Sequence, residues 1–392
     1  MNILVLTPYV PYPPSFGGAV RIYHLIRQIS RRHAVHLLTF REETGAGDPE
    51  GVAPYCASIT VIPRVVADKR RQQLRSLFSA QSFQSRFHFS RAMQEAIDRT
   101  VAERQIDLIL VEFSQMACYR FPPGVAVVID EHNVEFDLLD RMAAREGGLF
   151  RRLFNRIETV KFRREEIAAV RRAALTLVTS GRDGDLLRLH VPGLRVAVIT
   201  NGVDCDSFAR PDTPRQPDTA VFVGATHYFP NEDGVLFFLR EIHESIRATR
   251  PGFRLDVVGG KPPSSLTDCR SDSVNITGYV QDVRSYMWDA SVFVVPLRMG
   301  GGTRFKVVEA MAAGVPVVST RLGAEGIPAE DGRDLLYADE PDAFARAVLR
   351  VLTDPALATT LTANGLAFVR SHFDWSVIGD ALNAALAEAV KR

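Results

Sequence analysis

Short, uninterrupted apolar runs recur along this chain, each followed by a loop and then by residues whose apolar members return at helical spacing. A strand that is apolar on both faces has to be covered on both, the condition of a parallel sheet flanked by helices. Asn2-Ile3-Leu4-Val5-Leu6-Thr7 is the first such run. A loop rich in Pro, Tyr and Gly, Pro8 to Gly18, leads into Ala19 to Ile29 at helical spacing and then to Val35 to Phe40. Strand, glycine loop, helix, strand is a βαβ unit, and it places the loop at the carboxyl edge of the sheet, where open α/β folds bind ligands.

The alternation continues with strands at Leu108 to Val111 and Val125 to Ile129, a basic, helix-rich segment from about Leu149 to Ala174, and strands at Leu175 to Thr179 and Val196 to Ile199. Three prolines between Pro211 and Pro217 then read as a linker. Beyond it the pattern restarts. Ala220 to Gly224 is a strand, Gly234 to Ile246 a helix, and Phe253 to Gly259 and Val274 to Gly278 are strands. Ser291 to Pro296 and Val315 to Ser319 flank the helix that carries Glu309. At roughly 100–200 residues per domain, two such sets in 392 residues predict an α/β protein of two Rossmann-like domains facing across a cleft.

A hydrophobic fraction of 46% beside 24% charged residues excludes long disordered tracts and fibrous repeats. The net charge of +1 argues against a dedicated nucleic-acid binder. That total is a cancellation: residues 1–200 hold 28 basic and 21 acidic side chains, residues 201–392 hold 19 and 25. A basic front half and an acidic back half predict modules with different partners. Cys56, Cys118, Cys205 and Cys269 lie far apart with no CxxC, so neither a zinc site nor a disulfide framework is signalled. No long apolar window and no basic leader mark a membrane span or a signal peptide, so the expected compartment is the cytoplasm.

The most informative segment is Leu297-Arg298-Met299-Gly300-Gly301-Gly302-Thr303-Arg304-Phe305-Lys306-Val307-Val308-Glu309. A strand ends at Pro296, three glycines let the backbone approach a ligand, and a helix predicted to begin near Thr303 points its free N–H groups at that place. Arg304 and Lys306 add two positive charges within one turn, enough to neutralise a diphosphate. The plainer reading is a turn with two solvated cations.

The run from Gly301 to Val318, with Glu309-Ala310-Met311-Ala312-Ala313-Gly314-Val315-Pro316-Val317-Val318, resembles the donor-site signature of retaining glycosyltransferases of family 4, with the GT-B fold. Asn201-Gly202-Val203-Asp204, Gly224 at the end of a strand, and Gly278-Tyr279-Val280 before Asp289-Ala290 match in order and spacing. The resemblance implies an acceptor-binding domain at 1–200, a donor-binding domain at 201–375 and a C-terminal helix, 376–392, crossing back to the first. It implies a nucleotide base near Tyr279 and Val280, a ribose or donor sugar at Glu309, and a diphosphate over Gly301, Gly302 and Thr303 with Arg304 and Lys306. Asn201 and Gly224 belong to the same donor site by that likeness.

Two positions depart from the family pattern. Gly301 stands where the first glutamate of the family's pair is found, and the Ala225-Thr226-His227-Tyr228-Phe229-Pro230-Asn231 stretch after Gly224 lacks the usual cations. Arg304 and Lys306 are the natural compensation, because a diphosphate leaving without a metal needs positive charge from the protein. The loop resembles that of a subgroup with a Gly-Gly-Thr-Arg sequence.

In the first half, Asp130-Glu131-His132-Asn133-Val134-Glu135 puts a polar cluster at a strand end. His132 matches the family's N-domain histidine, implied to lie at the donor sugar; Asp130, Glu131 and Glu135 as a divalent metal set is the alternative. Gly17 and Gly18 match the family's N-terminal glycine loop, close to the donor diphosphate and the acceptor. Tyr9, Tyr12 and Phe16 would either stack on an acceptor sugar or pack within the loop. The bases of Phe150 to Arg172, with Lys69-Arg70-Arg71 and Arg75 beside Leu77-Phe78, would either lay the domain on anionic lipid at the inner face of a membrane or be balanced by ion pairs within a solvated helix.

The function the resemblance implies is transfer of a sugar from a UDP- or GDP-sugar to a saccharide, lipid-linked or small-molecule acceptor, with retention and without metal or other cofactor. Glycoconjugate or polysaccharide synthesis is the expected setting. The rivals are a catalytically silent sugar-nucleotide-binding protein and a nucleotide-sugar 2-epimerase. A dinucleotide-dependent dehydrogenase is disfavoured, since Gly17-Gly18 lies in a proline-rich loop without GxGxxG.

Overall fold

In the computed structural model, residues 1–42, 47–64, 69–145, 149–300 and 304–391 are described. The chain divides into two units, Met1–Gly202 with Ile378–Arg392, and Val203–Val377. The proline stretch read as a linker therefore lies inside the second unit, and the chain passes between units at Gly202 and again at Val377. Arg215 and Gln216 of that stretch are bonded to Gly314 and Asp289 of the same unit, which makes it a pinned surface loop.

Among the described residues, the first unit holds seven strands: β1 (Asn2–Thr7), β2 (Ala34–Glu42), β3 (Ser58–Arg64), β4 (Leu108–Glu112), β5 (Ala126–Glu131), β6 (Leu175–Val178) and β7 (Val196–Val198). They pair in parallel in the order β3-β2-β1-β4-β5-β6-β7. The second unit holds β8 (Thr219–Val223), β9 (Arg254–Val258), β10 (Val274–Gly278), β11 (Val292–Val295), β12 (Val317–Ser319) and β13 (Leu336–Tyr337), again parallel, in the order β10-β9-β8-β11-β12-β13. Central strands such as β4 and β8 are buried at every position, which is why they appear in the sequence as unbroken apolar runs. In the second unit Phe222, Phe238, Phe253, Phe293 and Phe344 are fully buried in the core. Each such side chain contributes roughly 1.5–3 kcal/mol relative to exposure.

The sequence pattern missed β3 and β13. The first is an edge strand, only partly buried and carrying Pro63, a residue an edge tolerates. The second is two residues long. The helix predicted from Gly234 starts earlier, at Phe229 with Pro230 in its first turn, and contains a π-turn at Phe238–Ile242. The helix predicted to begin near Thr303 runs Phe305–Ala312, with Arg304 at its N-cap.

Strand order reverses beside β1 in one sheet and beside β8 in the other. The carboxyl ends of β1 and β4, and of β8 and β11, are therefore the switch points at which open parallel sheets bind ligands.

Candidate active site

Both switch points carry a polar centre. In the second unit, β8 ends at Val223 and Gly224 turns the chain, its N–H donating to the Val258 carbonyl at 3.0 Å. A Cβ at Gly224 would lie 2.8 Å from Lys306 Nζ and 2.9 Å from Asn231 Nδ2, so any side chain there would displace the lysine and the amide that holds it. Lys306 Nζ donates to Asn231 Oδ1 at 2.7 Å and stands 4.2 Å above the Phe222 ring. Asn231 is held in turn by donating from Nδ2 to the Ala225 carbonyl at 3.0 Å.

Lys306 and Glu309 are one helical turn apart and partly buried. Burial, with some repulsion from Arg304, pushes the Lys306 ammonium down to about 7. Burial pushes the Glu309 carboxyl up to about 7, against the pull of Lys306. Arg304, 8% exposed, donates from Nε to the Leu322 carbonyl at 3.4 Å and lies 3.6 Å from Glu325. Gly300, at φ +125°, faces it: a Cβ there would lie 2.7 Å from Arg304 Nη2. Arg304 is buried and Lys306 partly so and hydrogen-bonded, unlike the two solvated cations of the plainer reading. Gly301, Gly302 and Thr303 lie outside the described residues. Val280 packs against the core, whereas Tyr279 is 84% exposed.

In the first unit the centre is closed upon itself. Arg21, 1% exposed, donates from Nε to Asp130 Oδ2 at 2.8 Å and from Nη2 to Asp130 Oδ1 at 2.6 Å. Its Nη1 donates to the carbonyls of Ile199 and Thr200, at 2.8 and 3.3 Å, and to Asn201 Oδ1 at 3.0 Å. His132 Nε2 lies 2.9 Å from Glu112 Oε2 and 3.3 Å from Asp130 Oδ2. Burial would raise Asp130, but the Arg21 guanidinium and then His132 outweigh it and hold the carboxyl well below its ordinary range. Burial would depress His132, and the two carboxylates beside it hold it above its ordinary value instead. Glu112 is pushed by burial and by Asp130 up to about 7.

Aromatic rings complete this centre. Phe113, at the strained φ of +68°, stacks on His132 with ring centroids 3.8 Å apart, and Tyr9 meets it edge-on. Gly18 is required by packing, since its Cβ would lie 2.3 Å from the Tyr9 hydroxyl, whereas a Cβ at Gly17 meets nothing within 4 Å. Both glycines open the helix Gly17–Ile29. Tyr9 packs edge-on against Phe16, and Tyr12 against Tyr23, while Phe16 stays 53% exposed.

The acidic run of β5 does not gather into the metal set considered from the sequence. Asp130 joins Arg21, whereas Glu131 faces the Glu166 and Glu135 carboxyls; burial first, then those two acids, raise it well above its ordinary value. Glu112, Asp130 and His132 do bring ligand atoms within 4.8 Å of one another. The Arg21 guanidinium already covers both Asp130 oxygens, and its fixed charge opposes a second cation there.

Sequence reasoning missed Arg21, Glu112, Phe113 and Asn231. Two left a signal: Arg21 falls among the apolar positions Ala19, Ile22 and Leu25 of its helix, and Glu112 closes an otherwise apolar strand. Asn231 and Phe113 left none, because their roles depend on turns.

Family models match in two adjacent stretches, glycosyltransferase family 4 over residues 17–207 and glycosyl transferases group 1 over residues 217–354. The chain is 20% identical, over 95% of its length and 96% of the other's, to an uncharacterized 44.6 kDa protein of the cps region of Klebsiella pneumoniae. It is 33% identical to the phosphatidyl-myo-inositol mannosyltransferase of Mycobacterium tuberculosis over 49% of this chain and 53% of that one, about half the length of each. Sucrose-phosphate synthase of Thermosynechococcus elongatus superposes with a TM-score of 0.64 at 20% identity, covering 99% of both chains. HepE of Anabaena superposes at 0.65 and 14% identity, over 99% of this chain and 100% of that one. With two parallel-sheet Rossmann-like units of the GT-B type and both family models matched in order, the chain belongs to the family 4, group 1 glycosyltransferases.

Proposed function

We propose that this protein transfers a sugar from a nucleoside-diphosphate sugar to an acceptor hydroxyl with retention of anomeric configuration, in glycoconjugate biosynthesis. The observation that carries the reading is Lys306, held against Gly224 and Asn231 at the carboxyl end of β8 with its charge depressed by burial. A cation in that state gains a full charge and a partner when a diphosphate arrives. HepE is solved with UDP and with UDP-glucose, which supports a nucleotide-sugar donor here, and the mycobacterial relative is named a mannosyltransferase, which supports sugar transfer.

In this reading Lys306 and Arg304 neutralise the diphosphate, Glu309 accepts hydrogen bonds from ribose or sugar hydroxyls, and the His132 centre serves the sugar. The bond from the anomeric carbon to the phosphate oxygen breaks as the bond to the acceptor oxygen forms on the same face. The acceptor proton passes to the leaving phosphate, so no side-chain base and no metal is required.

A thermal-shift screen of nucleoside diphosphates tests the donor. At about 100 times its dissociation constant the right nucleotide stabilises by roughly 2.7 kcal/mol. No shift with any of them would sink the donor reading. Gly301 in place of a glutamate motivates one other reading, a silent sugar-nucleotide-binding protein. Binding of UDP- or GDP-sugars with neither transfer nor hydrolysis would favour it.

A further inference from the structure

At the amino ends of the second unit's strands, opposite its switch point, a cavity of about 530 Å³ opens between the proline stretch, the residues entering β8 and β11, and the helix Pro355–His372. That volume is in the range of small-molecule sites. Arg210, Arg215 and Arg250 line it against a single carboxylate among the described residues, Asp218. In a half of the chain where 25 acids outnumber 19 bases, the local sign is reversed.

Asp218 is already engaged. Arg250 donates to it twice, from Nε to Oδ1 at 2.9 Å and from Nη2 to Oδ2 at 3.0 Å. Arg210 and Arg215 are left with backbone carbonyls alone. Arg210 Nε donates to Trp288 at 3.3 Å and Arg215 Nη2 to Gly314, and neither arginine makes an ion pair among the described residues. A guanidinium has five N–H donors, so most of each fork is unspent. Burial, and then repulsion from Arg210, push the Arg215 guanidinium down to about 10. An anion between the two would relieve both effects.

The helix side of the cavity is neutral, with Ala358 beside the hydroxyls of Thr359 and Thr362. Thr359 gives its proton to the Pro355 carbonyl at 2.8 Å, which leaves its oxygen to accept from a ligand hydroxyl.

We propose that this cavity binds a small phosphate ester, with its phosphate between Arg210 and Arg215 and its hydroxylated body along Thr359 and Thr362. Two unanswered charges call for a dianion, which a phosphate monoester supplies at neutral pH and a carboxylate does not. Guanidinium forks also match phosphate oxygens in pairs. The centre at Lys306 and Gly224 lies at the carboxyl ends of the same sheet, so this is a second site. It is independent of the donor reading, since phosphate binding here needs neither nucleotide nor turnover.

The test is a phosphorus NMR titration of the full chain with inorganic phosphate and with glycerol 3-phosphate, in the wild type and in Lys306→Met. Both chains should bind, more weakly at high salt, and acetate at equal concentration should not compete. Adding Arg210→Gln with Arg215→Gln to Lys306→Met should weaken binding at least about tenfold. Arg215 also holds the Gly314 carbonyl just past the helix Phe305–Ala312. Arg210→Glu alone, expected to weaken binding as much, therefore keeps the test open if loss of Arg215 unfolds the chain. No binding of either probe, its disappearance in Lys306→Met, full competition by acetate, or undiminished binding in Arg210→Glu would each overturn the proposal.

Discussion

The two polar centres occupy the same topological place, the carboxyl ends of the strands at a switch point, and they handle charge in opposite ways. In the first unit Arg21 meets Asp130 in a two-pronged pair and His132 rests between Asp130 and Glu112, so each cation of the cluster faces a carboxylate, while Glu112 Oε1 is buried without a hydrogen-bond partner. In the second, Lys306 has an amide oxygen and an aromatic face for company, and burial has weakened its charge. A self-neutralised cluster fixes geometry, whereas an under-compensated cation invites an anion. Under the proposed function the first centre takes the positioning task and the second the binding task.

The largest effect should come from cutting the closed cluster. Arg21→Ala leaves the buried Asp130 with His132 as its one remaining cation and frees the carbonyls of Ile199 and Thr200 and the Asn201 side chain. A loss of about 3–5 kcal/mol in denaturant unfolding is expected. An unchanged midpoint would show that the cluster is not closed as described.

Next, Lys306→Met should leave unfolding nearly unaltered while lowering turnover about 10²–10³-fold, the scale of one removed charge-stabilising donor. Steady-state rates with the donor identified by thermal shift provide the measurement. If Lys306→Met unfolds the protein instead, the two centres are not different in kind.

Smaller effects separate the paired glycines. Gly18→Ala drives a methyl into the Tyr9 hydroxyl and should cost about 1–3 kcal/mol, whereas Gly17→Ala points into open space and should be neutral within about 0.5 kcal/mol. Equal melting shifts for both would undo the packing argument for Gly18.

The gentlest probe is pH. Donor binding that needs Lys306 charged weakens as pH rises above about 7, and binding that needs Glu309 ionised weakens as pH falls below about 7. Affinity should therefore peak near neutrality, with slopes approaching tenfold per pH unit on either side. Glu309→Gln should flatten the acid limb and Lys306→Arg the alkaline one, as read by calorimetric titration. A profile flat from acid to alkaline would detach both groups from the ligand.

How much was legible depended on whether the information was local. The run from Pro296 through Glu309 announced a strand end, a glycine loop and a helix with cations in its first turn, because each is a property of neighbours in sequence. The proline stretch misled: three prolines stiffen a loop wherever it lies, and the unit boundary is set by contacts that pass between Gly202 and Val203. Edge strand β3 was illegible because an edge buries little and so carries a weak apolar signal.

Taken alone, the sequence determined the two parallel α/β sheets, the place of the glycine loop and the presence of Arg304 and Lys306 as two cations within one turn after it, on the helix that carries Glu309. Fully buried strands and helical spacing are written in consecutive residues. Only the tertiary structure decided that Asn231 and Gly224 form the seat of Lys306, that Arg21 locks Asp130 beside His132, and that Arg250 claims Asp218 beside Arg210 and Arg215. Those outcomes depend on which buried group meets which across long sequence separations, where desolvation makes an unmatched charge costly and a matched one specific.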